Sequence, residues 1–221
     1  MTYLELVNKV MLRLRENNVS SGVLQGDAVA NRYARLIGEF VNEAKSQVEA
    51  AWDWSALRNT LTLTTVPNVF SYELNGTQNN FKVLNVLNDT TNIVMEYKEA
   101  NWFDEQFLLF TNPKGTPVYY NFNGTSLDGD TQVDIFPIPD AVYDVRFNIT
   151  QRNLPLVADT DKLIIPSRPV ILLATAMAIE ERGEDGGQQS MNAYSAAQSA
   201  LADEIALDAA RHPEDTIWYS V

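Results

Sequence analysis

The chain predicts an α+β fold: a helical bundle built from its two ends, with a central β-rich, sandwich-like insert. Three observations carry this. Apolar residues recur at helical spacing from Tyr3 to Leu14 and again as far as Trp52. From Arg58 the period falls to two and stays there to about residue 152. Helical spacing then returns at Ser167. The segments read as 1–58 (first part of the bundle), 59–152 (the β-rich insert), 153–211 (second part of the bundle) and 212–221 (an extended tail).

Taken in order, Thr2 caps the first helix, with Glu5 completing a capping box, and Tyr3, Val7, Val10 and Leu14 form its apolar stripe beside Leu6 and Met11, through about Glu16. Residues 17–26 are a polar, Gly-containing break. Asp27 caps a long second helix striped by Val29, Tyr33, Leu36, Ile37, Phe40, Ala44, Val48, Ala51 and Trp52. Its length points to a strut rather than a packed core helix. Strands follow at Leu61 and Leu63, at Phe70 to Leu74, at Phe81 to Leu87 and at Ile93 to Tyr97, separated by Asn-, Gly- and Thr-rich turns. Asn101 to Phe110 reads as a short helix, and strands resume at Val118 to Phe122.

The stretch from Val133 to Pro169 hands the β layer back to helices. Val133 to Phe136 alternates as a strand, Pro137 to Ala141 stops pairing and turns the chain, and Tyr143, Val145, Phe147 and Ile149 mark the next strand. Pro137 and Pro139 are expected to set the angle between the layers. Pro166-Ser167-Arg168-Pro169 opens a helix that is apolar nearly all round from Val170 to Ile179 and ends at Gly183. The last helix runs from about Gln188 to Arg211, striped by Met191, Tyr194, Leu201 and Ile205. Ala193, Ala197 and Ala200 beside that stripe permit close approach of a neighbouring helix.

Composition excludes several classes. With 29 acidic and 16 basic residues the formal charge is -13, so phosphates are repelled, and sequence-specific DNA binding is not expected. The visible basic cluster, Arg13, Arg15, Arg32 and Arg35, reads as solvated helix face. There are no cysteines, hence no disulfides, thiolate metal sites or Cys nucleophiles. No apolar run is long enough to span a membrane, and the N-terminus lacks the pattern of a signal peptide.

No constellation for catalysis emerges, and no cofactor or metal is expected. His212 is the only histidine and has no Ser in a G-x-S-x-G turn to partner it. Asp128, Asp130, Gln132 and Asp134 have the spacing of half a calcium loop. Val133 and Pro139 then stand where Gly and Glu are required, so a polar hairpin turn is the better reading. Glu180, Glu181, Glu184 and Asp185 form an acidic helix end. Five N-x-S/T matches, at Asn18, Asn75, Asn88, Asn123 and Asn148, are attributed to chance in an Asn- and Thr-rich chain. Trp52 and Trp54 either stack a sugar or base or bridge bundle and insert in a shared core, the second being favoured.

Several of these residues together resemble the tailed-phage head-to-tail adaptor family, the tail tubular protein A-like gatekeeper-ring proteins of short-tailed phages. They are Tyr3 to Val10 with Arg13-Leu14, Phe40 to Ala44 leading to Trp52-Asp53-Trp54, Ile135 to Asp140, and Leu154-Pro155 through Ile165 to Arg168. Residues 75–130 match only in general β character. The resemblance implies a structural virion protein, made in the host cytoplasm, and no enzyme. It implies a homo-oligomeric ring, usually dodecameric, between the portal protein and a tail nozzle or other tail protein, with DNA passing through the lumen. In such a ring an acidic wall lets DNA slide. The tail residues Ile217, Trp218 and Tyr219 are expected either as portal contacts, because Trp and Tyr are enriched at binding hot spots, or with Trp218 folded back onto its own subunit. The other function classes are a carbohydrate- or receptor-binding tail module, resting on exposed aromatics of the β insert, and a glycosidase using two carboxylates.

Overall fold

Helix α1 (Tyr3–Arg13) begins at its capping box: the Thr2 hydroxyl accepts from the Glu5 amide at 3.3 Å, and the Glu5 carboxylate accepts from the Thr2 amide at 2.9 Å. It ends at Arg13 rather than Glu16. Arg15 turns into the left-handed region, its amide bonding Leu12 O and the Glu16 amide bonding Met11 O, a Schellman closure without glycine. The computed structural model from which these contacts are taken describes residues 1–25, 32–76, 80–109, 113–183 and 187–211. The chain divides into two units: Met1–Leu57 with Asn153–Val221, which is helical, and Arg58–Arg152, which is β-rich. The fold is α+β with a β-rich insert, as the change of period predicts.

In the helical unit, α2 (Arg32–Ala51) is a packed core helix, not a strut. Ala34, Ile37, Gly38, Val41, Ala44 and Val48 are buried, together with Lys45 and Glu49. Its inner stripe uses small and even charged residues, so hydrophobic strength understates its burial. Tyr33, Leu36 and Phe40 are only half-buried and Ala51 is exposed. Asp27 and Val29 lie outside the described residues. Helix α4 (Ser167–Arg182) is buried on most sides, as its all-round apolarity requires, and stops at Gly183, whose amide bonds Ile179 O with φ 62°.

Helix α5 (Gln188–Ala209) packs along α4 through Ala197 and Ala200. Its buried ridge is Ser190, Ala197, Ala200 and Asp208, rotated from the predicted stripe. Tyr194, Leu201 and Ile205 flank the ridge, half-buried, and Met191 is exposed. One core joins α1, α2 and α4 to Trp54, Leu57, Leu156, Leu163 and Ile165.

The β-rich unit holds two four-stranded sheets. The first joins β1 (Arg58–Thr64), β8 (Asp144–Gln151), β3 (Phe81–Asn88) and β4 (Ile93–Val94), in that order and antiparallel. The second joins β2 (Ser71–Leu74), β7 (Thr131–Phe136), β6 (Tyr119–Thr125) and β5 (Glu96–Tyr97), the last pair parallel. Val86, Phe147 and Ile149 of one sheet meet Tyr120, Val133 and Ile135 of the other in a shared core. The Tyr120 and Phe147 rings are 6.0 Å apart. This is sandwich packing.

The run Ile93 to Tyr97 is not one strand. Met95, buried, donates its amide to Val86 O in the first sheet, and the next amide, of Glu96, bonds Val118 O in the second. Helix α3 (Ala100–Leu109) lays Trp102, Phe103 and Phe107 around Phe136. The Pro137 to Ala141 turn lies inside this unit rather than between layers. It does not stop pairing at once: Ile138 bonds both Pro113 O and the Gly115 amide, and Pro139 O accepts from the Asn68 amide.

Candidate docking site at the end of the helical unit

The portal contacts expected from the sequence, Ile217, Trp218 and Tyr219, lie outside the described residues, as do His212, Glu184 and Asp185. What the structure describes is the place from which that tail departs. Asp208, on the inner ridge of α5, reaches the turn that follows α2. Its carboxylate accepts from the Ser55 hydroxyl at 2.5 Å, the Ser55 amide at 3.0 Å and the Trp52 indole at 3.2 Å. Burial alone would raise the Asp208 pKa. The Ser55 donors, the Trp52 indole and nearby Arg211 outweigh it and hold the carboxyl below its ordinary value.

The two tryptophans therefore divide. Trp54 is 1% exposed and donates its indole N–H to Val48 O at 2.7 Å, satisfying a carbonyl in the last turn of α2. It belongs to the core of the helical unit. Trp52 is 37% exposed and serves Asp208.

Beside this clamp is a groove of about 360 Å³ lined by Trp54, Ala56, Ile164, Pro166, Leu207 and Arg211, among others. Arg168 and Arg211 also line it, and Glu204 and Asp208 supply its acidic atoms. Arg168 pairs with Asp203 at 3.5 Å and Arg211 with Asp208 at 3.8 Å, both long pairs of exposed arginines that contribute little.

The return segment entering the bundle is held by α2. Asn42 donates to Leu156 O at 3.0 Å and accepts from the Leu156 amide at 2.8 Å. Lys45 Nζ donates to the Asn153 and Leu154 carbonyls at 2.7 and 3.1 Å. At the opposite side of the same segment, the Asp159 carboxylate accepts from Ser21, Gly22 and Gln25, chiefly the Gly22 amide, which lowers its pKa. Sequence reading passed over Lys45, Glu49 and Asp208. The signal was present: each lies on or beside an apolar stripe, Asp208 eight residues after Ala200 on the ridge.

Other sequence candidates resolve differently. Arg13, Arg15, Arg32 and Arg35 are exposed. Arg182 is engaged, 2.6 Å from Glu16, 2.7 Å from the Tyr33 hydroxyl and stacked over the Tyr33 ring at 5.0 Å. Glu180 accepts from the Tyr194 hydroxyl at 2.6 Å. Asp130 closes a turn, its carboxylate accepting from the Gly76 amide at 3.0 Å, while Asp134 is buried within β7. Among the described residues no three His, Cys, Asp or Glu are grouped to hold a metal. Asn88, in one of the N-x-S/T matches, is fully buried and bonds Pro117 O. No described helix is long and apolar enough to cross a membrane.

The fold and the groove at the end of α5 define an α+β chain with a candidate docking site. Residues 1–217 match the family described as SU10 adaptor protein, and the chain belongs to that family. No curated protein matches the chain.

Proposed function

We propose that this protein is a head-to-tail adaptor: copies form a ring, dodecameric as in the resembling tail tubular protein A-like proteins, between portal and tail. DNA passes through the lumen during ejection. The observation that carries the reading is the family match across residues 1–217. The charge of -13 supports a wall along which phosphates find few counter-charges. Ile217, Trp218 and Tyr219 are the proposed portal anchors, emerging beyond Arg211.

A carbohydrate-binding role gains no support from the β-rich unit. A surface cleft of about 550 Å³ in that unit is lined by Arg58, Asn59, Thr60, Leu84, Asn85, Asn148 and Ile149, without an aromatic platform. Most aromatics of the unit are stacked on one another.

Electron microscopy of purified portal mixed with this protein tests the reading. An added ring of density on the portal is expected; a bare portal beside folded protein overturns it. Deleting residues 212–221 is expected to abolish that ring.

A further inference from the structure

The groove at the end of α5 lies where the described part of the chain ends. Ile164 and Leu207, 55% and 57% exposed, give it an apolar side with Ala56 and Pro166, beside the charged groups of Arg168, Glu204, Asp208 and Arg211. Its volume of about 360 Å³ falls within the range of clefts that hold ligand-sized apolar groups. Isolated, such aliphatic surface costs free energy in water that a matching apolar group recovers.

Helix α5 delivers the chain to the rim, because Arg211 itself lines the groove. The next ten residues are HPEDTIWYSV: two acids, Glu214 and Asp215, and then Ile217, Trp218 and Tyr219. Five residues separate Arg211 from Ile217, and an extended chain spanning those positions reaches about 20 Å. So short a tether holds the apolar residues at an effective concentration on the order of millimolar.

Charge favours the same occupant. Among the described residues, Arg168 and Arg211 make the long pairs to Asp203 and Asp208 and no other ion pair. Asp208 is already committed to Ser55 and Trp52. In the sequence the acids at 214 and 215 stand between the helix end and the apolar residues, opposite in sign to the two arginines.

We propose that this groove is the docking site for Ile217 and Trp218 of the same chain, with Glu214 and Asp215 pairing to Arg168 and Arg211. The docking needs no portal. Under the portal reading above, the portal competes with the groove for the same residues, so portal affinity is reduced by the fraction of tails that are free.

The chain has no cysteine, so an introduced pair reports the contact directly. Full-length Leu207→Cys, Ile217→Cys protein, oxidised when dilute, is expected to form an intramolecular disulfide in most molecules, visible as a monomer of altered mobility and by peptide mass. Met191→Cys, Ile217→Cys protein, with its first cysteine in the opening turn of α5, sets the background. Covalent dimers above that background would assign the groove to a second copy's tail. Cross-linking no greater than background would leave the groove without this occupant. Either result overturns the proposal. Hydrogen exchange of the cysteine-free chain gives a second readout: slowed exchange at 217–219 that is lost in Leu207→Glu. Equal exchange in the two proteins also overturns it. Neither assay contains portal, so their failure is distinct from a failure of ring formation on the portal.

Discussion

Lys45 and Glu49 form an ion pair inside the helical unit, Nζ lying 3.2 Å from Oε1 with the two side chains 4% and 2% exposed. The same ammonium holds the Asn153 and Leu154 carbonyls, so one side chain ties α2 to the return segment. Lys45→Met should cost about 3–5 kcal/mol, because it leaves the Glu49 carboxylate buried without its counter-charge and frees two carbonyls. Lys45→Met with Glu49→Leu should recover much of that loss. Urea denaturation of the three proteins measures both values.

The two buried carboxylates of this unit titrate in opposite senses. For Glu49, burial is the largest influence and raises the pKa, with Lys45 opposing it only in part. A raised folded pKa means its contribution is full below the unfolded value, about 4.3, and is lost as pH rises through the folded value. Asp208 is lowered, so its contribution is present above an unfolded value of about 3.9 and lost as pH falls through the folded one. Asp208→Asn should therefore flatten the acid side of the stability profile. Glu49→Gln should instead remove a decline seen as pH rises from the acid range. Urea midpoints measured at intervals from about pH 3 to pH 7 distinguish the two slopes.

Gly38 of α2 lies against Tyr3 of α1: a β-carbon there would land on the Tyr3 hydroxyl. The Tyr3 ring is buried, and burial, with Glu39 and Asp159, raises its pKa to about 12. Gly38→Ala gains helix propensity of about 1 kcal/mol but forces a packed ring aside, at a cost of about 1–3 kcal/mol. The expected net effect is destabilising. In a Tyr3→Phe background the obstructing oxygen is gone, and the same glycine substitution should become neutral or stabilising. Thermal melts of the four proteins close the cycle, and an unchanged cost in the Phe background would refute the contact.

The α+β class was legible because a change of period is local information. The Thr2–Glu5 box and the all-round apolarity of α4 were legible for the same reason. The misread elements depend on partners far along the chain. Lys45 looks like a surface residue until residues 153–154 supply its acceptors, and Asp208 until Ser55 does. Helix α2 reads as a strut from its length, since nothing local records how deeply Gly38 and Ala44 are packed. The Ile93 to Tyr97 run alternates like one strand, since nothing in five residues records that Met95 bonds Val86 in one sheet while Glu96 bonds Val118 in the other. Of the candidate site, the anchors Ile217, Trp218 and Tyr219 rest on composition, whereas the groove beside Arg211 required the fold.

Trp52 and Trp54, two residues apart and alike in sequence, should respond differently to the same substitution. Trp54→Phe removes the indole N–H that bonds Val48 O at 2.7 Å and shrinks a side chain that is 1% exposed. It leaves both a buried carbonyl without its donor and a cavity, which together cost about 2–4 kcal/mol. Trp52→Phe removes a bond to Asp208 that is longer, 3.2 Å, and partly open to water, and Asp208 keeps both Ser55 donors. That change should cost under about 1 kcal/mol. Urea midpoints of the two single variants measure the contrast. Equal losses would mean that Trp52 also carries core packing, and that the division of the pair between core and clamp is wrong.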